Sequence, residues 1–152
     1  MVPADTLEAA AMFAHALDTE DPVLLGLIPS IPVVLPPWPA RQAYHPGRGR
    51  WLCLGDAATL ACDQRTVAVA AATAALFAHE GIRLGLLLCT SVLPLPVGDL
   101  DHAGPGPLIA CGSDLGIALA SAMTDRDVHV DIVTDVSSTA ALAAAVRKLI
   151  GR

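Results

Sequence analysis

From residue 51 onward, short and unbroken apolar runs alternate with longer Ala-rich segments, and this alternation restricts the fold more than any other feature. Ala57 to Cys62, Ile82 to Cys89, Leu108 to Cys111 and Val128 to Val133 read as strands; Gln64 to His79, Ser113 to Met123 and Ser137 to Ile150 read as helices, with Val97 to Asp101 a shorter one. Strands without apolar/polar alternation have no face to give to water, so helices must cover both sides of their sheet. Strands separated by helices pair in parallel through right-handed crossovers. The expected fold is α/β: an open, mostly parallel sheet of four or five strands in an α/β/α sandwich.

The chain upstream is organised differently. "VPADTLEAAAMFAHALDTEDPVLL" has Asp5 as N-cap with Glu8 three residues on, a capping-box arrangement, and Leu7, Ala10, Ala14 and Leu17 at helical spacing. The helix stops near Asp18, and Pro22 leads into an apolar strand, Val23 to Ile28. Then Pro29, Pro32, Pro36, Pro37, Pro39 and Pro46, with Gly47 and Gly49, mark an extended linker. Three units follow: 1–28, a helix and strand; 29–50, a Pro-rich linker; and 51–152, the α/β domain.

Charge narrows the partners. A net charge of -6 with nine Lys and Arg leaves little to neutralise phosphates, so nucleic acid is not expected. Membrane insertion is not expected either: the longest apolar stretch, Val67 to Ala78, is interrupted by Thr73 and falls short of the about 18 residues a span needs. The acidic start, with Asp5, Glu8 and Asp18, is unlike a secretory signal, which leaves the cytoplasm as the default compartment. Only 16% of residues are charged against 54% hydrophobic, so part of the apolar surface is expected to meet another protein. "VAVAAATAALFA", apolar nearly all round, is the kind of helix that is enclosed on more than one side. Val69, Ala72 and Leu76 on it, and Val23, Leu25 and Leu27 on the edge strand, are the candidate interface residues.

Residues with chemistry are sparse. Cys53, Cys62, Cys89 and Cys111 show no metal-ligand spacing and read as inert thiols. Thr90, Ser91, Gly112 and Ser113 lie at carboxyl ends of strands, where α/β sheets place ligands, and are the candidate contacts. A nucleophile at Cys89 or Ser91 would need a base, and His79 and His102 read as solvated surface residues. "CGSDLG" opens a helix where N–H groups can hold an anion. Asp114 already complements that dipole, and Gly112-Ser113 does not fit a nucleophile elbow, so a turn and cap is the simpler account. Asp99 with Asp101 and Asp131 with Asp135 read as loop carboxylates, not a metal site.

Three stretches together resemble the C-terminal part of transketolase-like thiamine diphosphate enzymes, most closely the beta subunit of the 2-oxoacid dehydrogenase decarboxylating component, with transketolase and deoxyxylulose-phosphate synthase as relatives. They are "PADTLEAAAMFAHALDTEDPVLL", similar to the end of the pyrimidine-binding domain; "AALFAHEGIRLGLLLCTSVLPLP", similar to a helix, strand and "PL" turn; and "PLIACGSDLGIALASAM" with "VHVDIVTDVSSTAALAAAVRKLIG", similar to the close of the C-terminal domain.

The resemblance implies that residues 1–28 are the remnant of a pyrimidine-binding domain joined to a complete C-terminal domain. In the family an acidic motif elsewhere holds Mg²⁺ and thiamine diphosphate, and a pyrimidine-domain glutamate activates the cofactor; neither has a matching position here. Thr90 stands where family members often carry Arg, and the turn at Cys111 and Gly112 is shortened. The implied role is a non-catalytic assembly subunit of a split enzyme that decarboxylates 2-oxoacids or transfers the resulting unit. Cofactor and Mg²⁺ would sit in partner subunits of a homo- or hetero-oligomer. The alternative is a free-standing α/β domain binding a small ligand around Thr90, Ser91, Gly112 and Ser113.

Overall fold

In the computed structural model of the 152-residue chain, residues 6–20, 22–26, 45–91 and 94–151 are described. Among them α1 (Thr6–Asp18) precedes a five-stranded sheet: β1 (Arg50–Cys53), β2 (Ala58–Cys62), β3 (Leu84–Leu88), β4 (Leu108–Cys111) and β5 (Val130–Val133). The covering helices are α2 (Val67–His79), α3 (Ser113–Met123) and α4 (Thr139–Ile150), with a 3-10 helix at Val97–His102.

The strand order is β1-β3-β2-β4-β5. β2 pairs in parallel with both β3 and β4, and β4 in parallel with β5, as the unbroken apolar runs require. β1 pairs antiparallel with β3, Arg50 opposite Leu88 and Trp51 opposite Leu87, with a bulge before Cys53. Arg50, the last residue of the expected linker, starts a strand. Four residues beginning with Arg after a Pro/Gly-rich stretch carry no strand signal, and β3 supplies the ladder that makes them one.

Pairing also trims the expected strands. β5 begins at Val130, opposite Leu108, because Pro107 has no N–H to extend the ladder. Likewise β3 starts at Leu84, opposite Ala58, leaving Ile82 and Arg83 in the approach. The second helix begins at Val67 and not Gln64, since residues 64–66 form a turn around Asp63: its Oδ1 accepts the N–H groups of Arg65 at 2.9 Å and Thr66 at 3.1 Å. β4 and α3 have the expected limits.

The strand expected at Val23 to Ile28 is corrected for its described part: residues 22–26 belong to no strand. A strand exists only where a neighbour completes a ladder, and these residues are not part of the five-stranded sheet. Leu27 and Ile28, the N-cap Asp5 and most of the Pro-rich stretch lie outside the described residues. The stripe expected to pack on α1 is also corrected. Ala10, Ala14 and Leu17 are exposed, with Phe13, whereas Met12 and Glu8 are buried.

Two cores sandwich the sheet. On one face Val67, Ala70 and Phe77 of α2 and Leu142, Ala143 and Val146 of α4 pack on Leu60, Leu86, Ile109 and Val133. On the other, Leu115, Leu119 and Met123 of α3 and Leu100 of the 3-10 helix pack on Ala61, Leu87, Leu108 and Ala110. α3 lies close on β5 because Gly116 has no side chain: a Cβ there would come 2.6 Å from Ile132 Cγ2. No helix among the described residues is long and apolar enough to cross a membrane.

Candidate functional site

The sheet has its topological switch point between β2 and β4. The chain leaves β2 into α2 on one face and leaves β4 into α3 on the other, so the two helices diverge and their N-termini flank a crevice at the carboxyl ends. Such a crevice is where open α/β sheets bind ligands.

Here the chain's own charges face one another. Asp63, directly after β2, uses Oδ1 for the first turn before α2 and also accepts the Thr66 hydroxyl at 3.0 Å. Its Oδ2 accepts Arg65 Nε at 2.9 Å, and the same guanidinium reaches Asp114 Oδ2, in the first turn of α3, at 3.3 Å. Its hydrogen bond to the Asp63 carboxylate stabilises the charged guanidinium and raises the pKa of Arg65. Both helix N-termini thus have a carboxylate beside them, so the dipoles are complemented and the crevice is not an open anion site.

The structure separates the four candidate contacts. Gly112 takes φ +109°, a conformation suited to glycine, and its N–H bonds Val133 O at 2.9 Å, which turns the chain into α3. Ser113 beside it is exposed. Thr90 and Ser91, past β3, are buried. The Ser91 hydroxyl donates to Pro94 O at 2.6 Å and accepts the Gly47 N–H at 3.1 Å, so it stitches the chain entering β1 to the loop leaving β3. Asp99 does the same: its Oδ2 accepts the Gly49 N–H at 2.7 Å, Arg48 stands 3.5 Å from Oδ1, and its carbonyl accepts Trp51 Nε1 at 3.2 Å. Sequence reasoning missed this clasp because partners about fifty residues apart leave no local signal.

The remaining polar groups are similarly occupied. Asp101 pairs with Arg126 at 2.8 Å. Asp135 accepts the Ser137 hydroxyl at 2.6 Å, which holds its carboxyl below the usual range. His79 and His102 are exposed. Burial pushes the thiols of Cys89 and Cys111 up to about 12 and that of Cys62 well above its ordinary value. These thiols stay protonated and unreactive at neutral pH. Among the described residues no group of three or more His, Cys, Asp and Glu is placed to hold a metal ion.

Apolar surface is the more distinctive feature. On α2, Val69 is partly buried against the core, while Ala72 and Leu76 are exposed with Ala68 and Ala75. Beside them, between α2 and the β1–β3 edge, runs a groove of about 340 Å³ lined by Leu52, Cys53, Leu54, Ala75, Leu84 and Leu86. Val23 and Leu25 are half-buried, and the neighbouring Leu24 is 86% exposed; Leu27 lies outside the described residues. At the sheet's amino end a second cleft, about 600 Å³, opens between Leu108, Met123, Arg126 and His129.

No family model matches the sequence, and no curated protein sequence matches it. The solved structures do offer a match: a split-gene transketolase in the form of an inactive β4 tetramer, with a TM-score of 0.79 and 23% sequence identity. The two share a fold. The match covers 99% of this chain and 56% of that chain, so it includes the N-terminal segment as well as the sheet. The transketolase-like α/β/α fold expected from the sequence is thereby established; at this identity the likeness is one of fold alone.

Proposed function

We propose that this chain is an assembly subunit of a split thiamine diphosphate enzyme of the transketolase type, and that partner chains carry the cofactor. The observation that carries this reading is the likeness, over 99% of the chain, to a split-gene transketolase. The chemistry of the carboxyl-end crevice supports it. Its carboxylates are engaged with Arg65 and with the helix starts, the Ser91 hydroxyl is committed to backbone partners, and the thiols of Cys62, Cys89 and Cys111 are buried and protonated. In this reading the subunit completes the fold and the oligomer through apolar surface. Thiamine diphosphate and Mg²⁺ bind in the partner, and the complex decarboxylates a 2-oxoacid or transfers the resulting two-carbon or acyl unit.

The test is co-expression with chains that carry a Gly-Asp-Gly cofactor motif, followed by titration of the purified complex and of this chain alone with thiamine diphosphate and Mg²⁺. The expected result is saturable binding, and consumption of a 2-oxoacid or a ketose donor, by the complex only. Micromolar cofactor binding by the isolated chain would overturn the reading.

A further inference from the structure

We infer that the cleft at the amino end of the sheet is a binding site for a small organic ammonium, a protonated amine carried on an apolar body. It lies at the opposite end of the strands from the switch-point crevice and does not depend on the assembly role proposed above.

The cleft opens between the 3-10 helix that ends at His102, the approach to β4 and the turn that joins α3 to β5. At about 600 Å³ it falls within the range of small-molecule sites, about 300–1,000 Å³. Its apolar part is Leu100, Leu108 and Met123, all of them buried. One wall is backbone set directly against backbone. A Cβ on Gly104 would stand 2.3 Å from Gly55 O, and one on Gly106 would stand 2.2 Å from Ala57 O. Packing that close holds the wall in place, so the hollow is formed before a ligand arrives.

The rim decides the charge of the ligand. Asp101 is taken by Arg126 at 2.8 Å, and His129 faces Asp131 at 3.6 Å. Asp127 also lines the cleft, and among the described residues no basic side chain pairs with it. Counting His129 as neutral, two carboxylates against one guanidinium leave the lining with negative charge in excess. The turn holds Asp127 at φ +54°, the only positive φ among the described residues other than glycine, so backbone geometry sets this carboxylate at the edge of the cleft.

An acid is repelled by this lining, and a neutral molecule leaves Asp127 uncompensated. An ammonium on an apolar body answers both parts, with its charge against Asp127 and its body on Leu100, Leu108 and Met123. The chain's net charge of -6 favours the approach of a cation.

The experiment titrates the full chain with 2-phenylethylamine, and with 2-phenylethanol and 3-phenylpropionate as neutral and anionic probes of similar size, by calorimetry and two-dimensional NMR. The amine should bind saturably with a Kd on the order of 0.1–1 mM, in keeping with so small a molecule, and about tenfold more tightly than either other probe. Asp127→Asn should weaken amine binding about fivefold. Asparagine also accepts the left-handed turn, so this variant keeps the fold. Asp125→Asn, beside the cleft but outside its lining, should leave the affinity unchanged. Arg126→Gln frees Asp101 and should not weaken the amine; a loss there would assign the site to an anionic group and overturn the inference. Equal binding of the alcohol, tighter binding of the acid, no saturation by about 10 mM amine, or an Asp127→Asn chain that binds as well as the wild type would each overturn it too.

Discussion

Helices α2 and α4 cover the same face of the sheet, yet only one of them is built to meet water. α4 buries Leu142, Ala143 and Val146 and turns Arg147 and Lys148 outward, with Ser138 capping its start through a 3.2 Å bond from the Ala141 N–H. α2 buries Val67, Ala70, Thr73, Ala74 and Phe77 but turns alanines outward, and the hydroxyl of its one polar residue before the terminal His79 folds back onto Val69 O at 2.8 Å. The two helices do equal duty toward the core and treat the outer surface in opposite ways. A helix needs one apolar stripe to join a core; the outward alanines of α2 are additional to it.

The comparison breaks most readily at the buried stripe. Phe77 is fully buried and also lies under the Arg147 guanidinium, 5.0 Å from the ring centroid. Phe77→Ala is expected to cost about 3–5 kcal/mol in urea denaturation. A loss below about 1 kcal/mol would mean that α2 is not held by this core.

Thiol accessibility sharpens the contrast between covered and bare parts of the sheet. Cys62 and Cys111 lie in the core beneath α2 and α4, Cys89 is in the opposite core, and Cys53 is exposed on the bare edge. A neutral-pH maleimide is expected to label Cys53 alone, read by mass spectrometry; modification of a second thiol in the native chain would show the cover open. The same burial sets a pH dependence. The folded thiols of Cys89 and Cys111 titrate near 12 against an ordinary 9.0, so the folded state holds these protons more tightly than the unfolded chain does. Their stabilising contribution is complete below pH 9.0 and is lost as pH rises toward 12. Cys111→Ala or Cys89→Ala should flatten the alkaline limb of a plot of melting temperature against pH.

Smaller effects belong to α4. Ser138→Ala removes the side-chain cap of α4 and is expected to cost about 1 kcal/mol by thermal or urea denaturation. Arg147→Gln removes both the pair with Glu80 and the contact over Phe77. Because the guanidinium is half exposed, about 0.5 kcal/mol is expected, shrinking as salt is added. A loss of several kcal/mol at Arg147, insensitive to salt, would move it from surface ornament into the core of the α2–α4 contact.

Much of the α/β domain was legible because its signals are local. The continuous apolar runs set parallel, doubly covered strands, and the turns at Gly112 and Ser138 bound helices that the structure reproduces. The site was legible only in its location. That β4 ends at Cys111 is a local fact, but that Arg65 reaches across to Asp114, or that Ser91 is spent on Gly47, depends on residues more than forty positions apart. α1 failed for a related reason: it has apolar residues on two sides, and spacing alone does not say which is buried.

By itself, then, the sequence determined the class of fold, the helical and most of the strand segments, and the excess of apolar surface on α2. Each follows from short-range chemistry: periodicity, capping, proline and charge. Only the tertiary structure decided that β3 and β4 flank β2, that Arg50 to Cys53 closes the edge in the opposite direction, that Arg65 sits between Asp63 and Asp114 at the switch point, and that a groove runs beside α2. Those are pairings between distant segments. Local propensity is the same for every strand order, and long-range hydrogen bonds and packing select one.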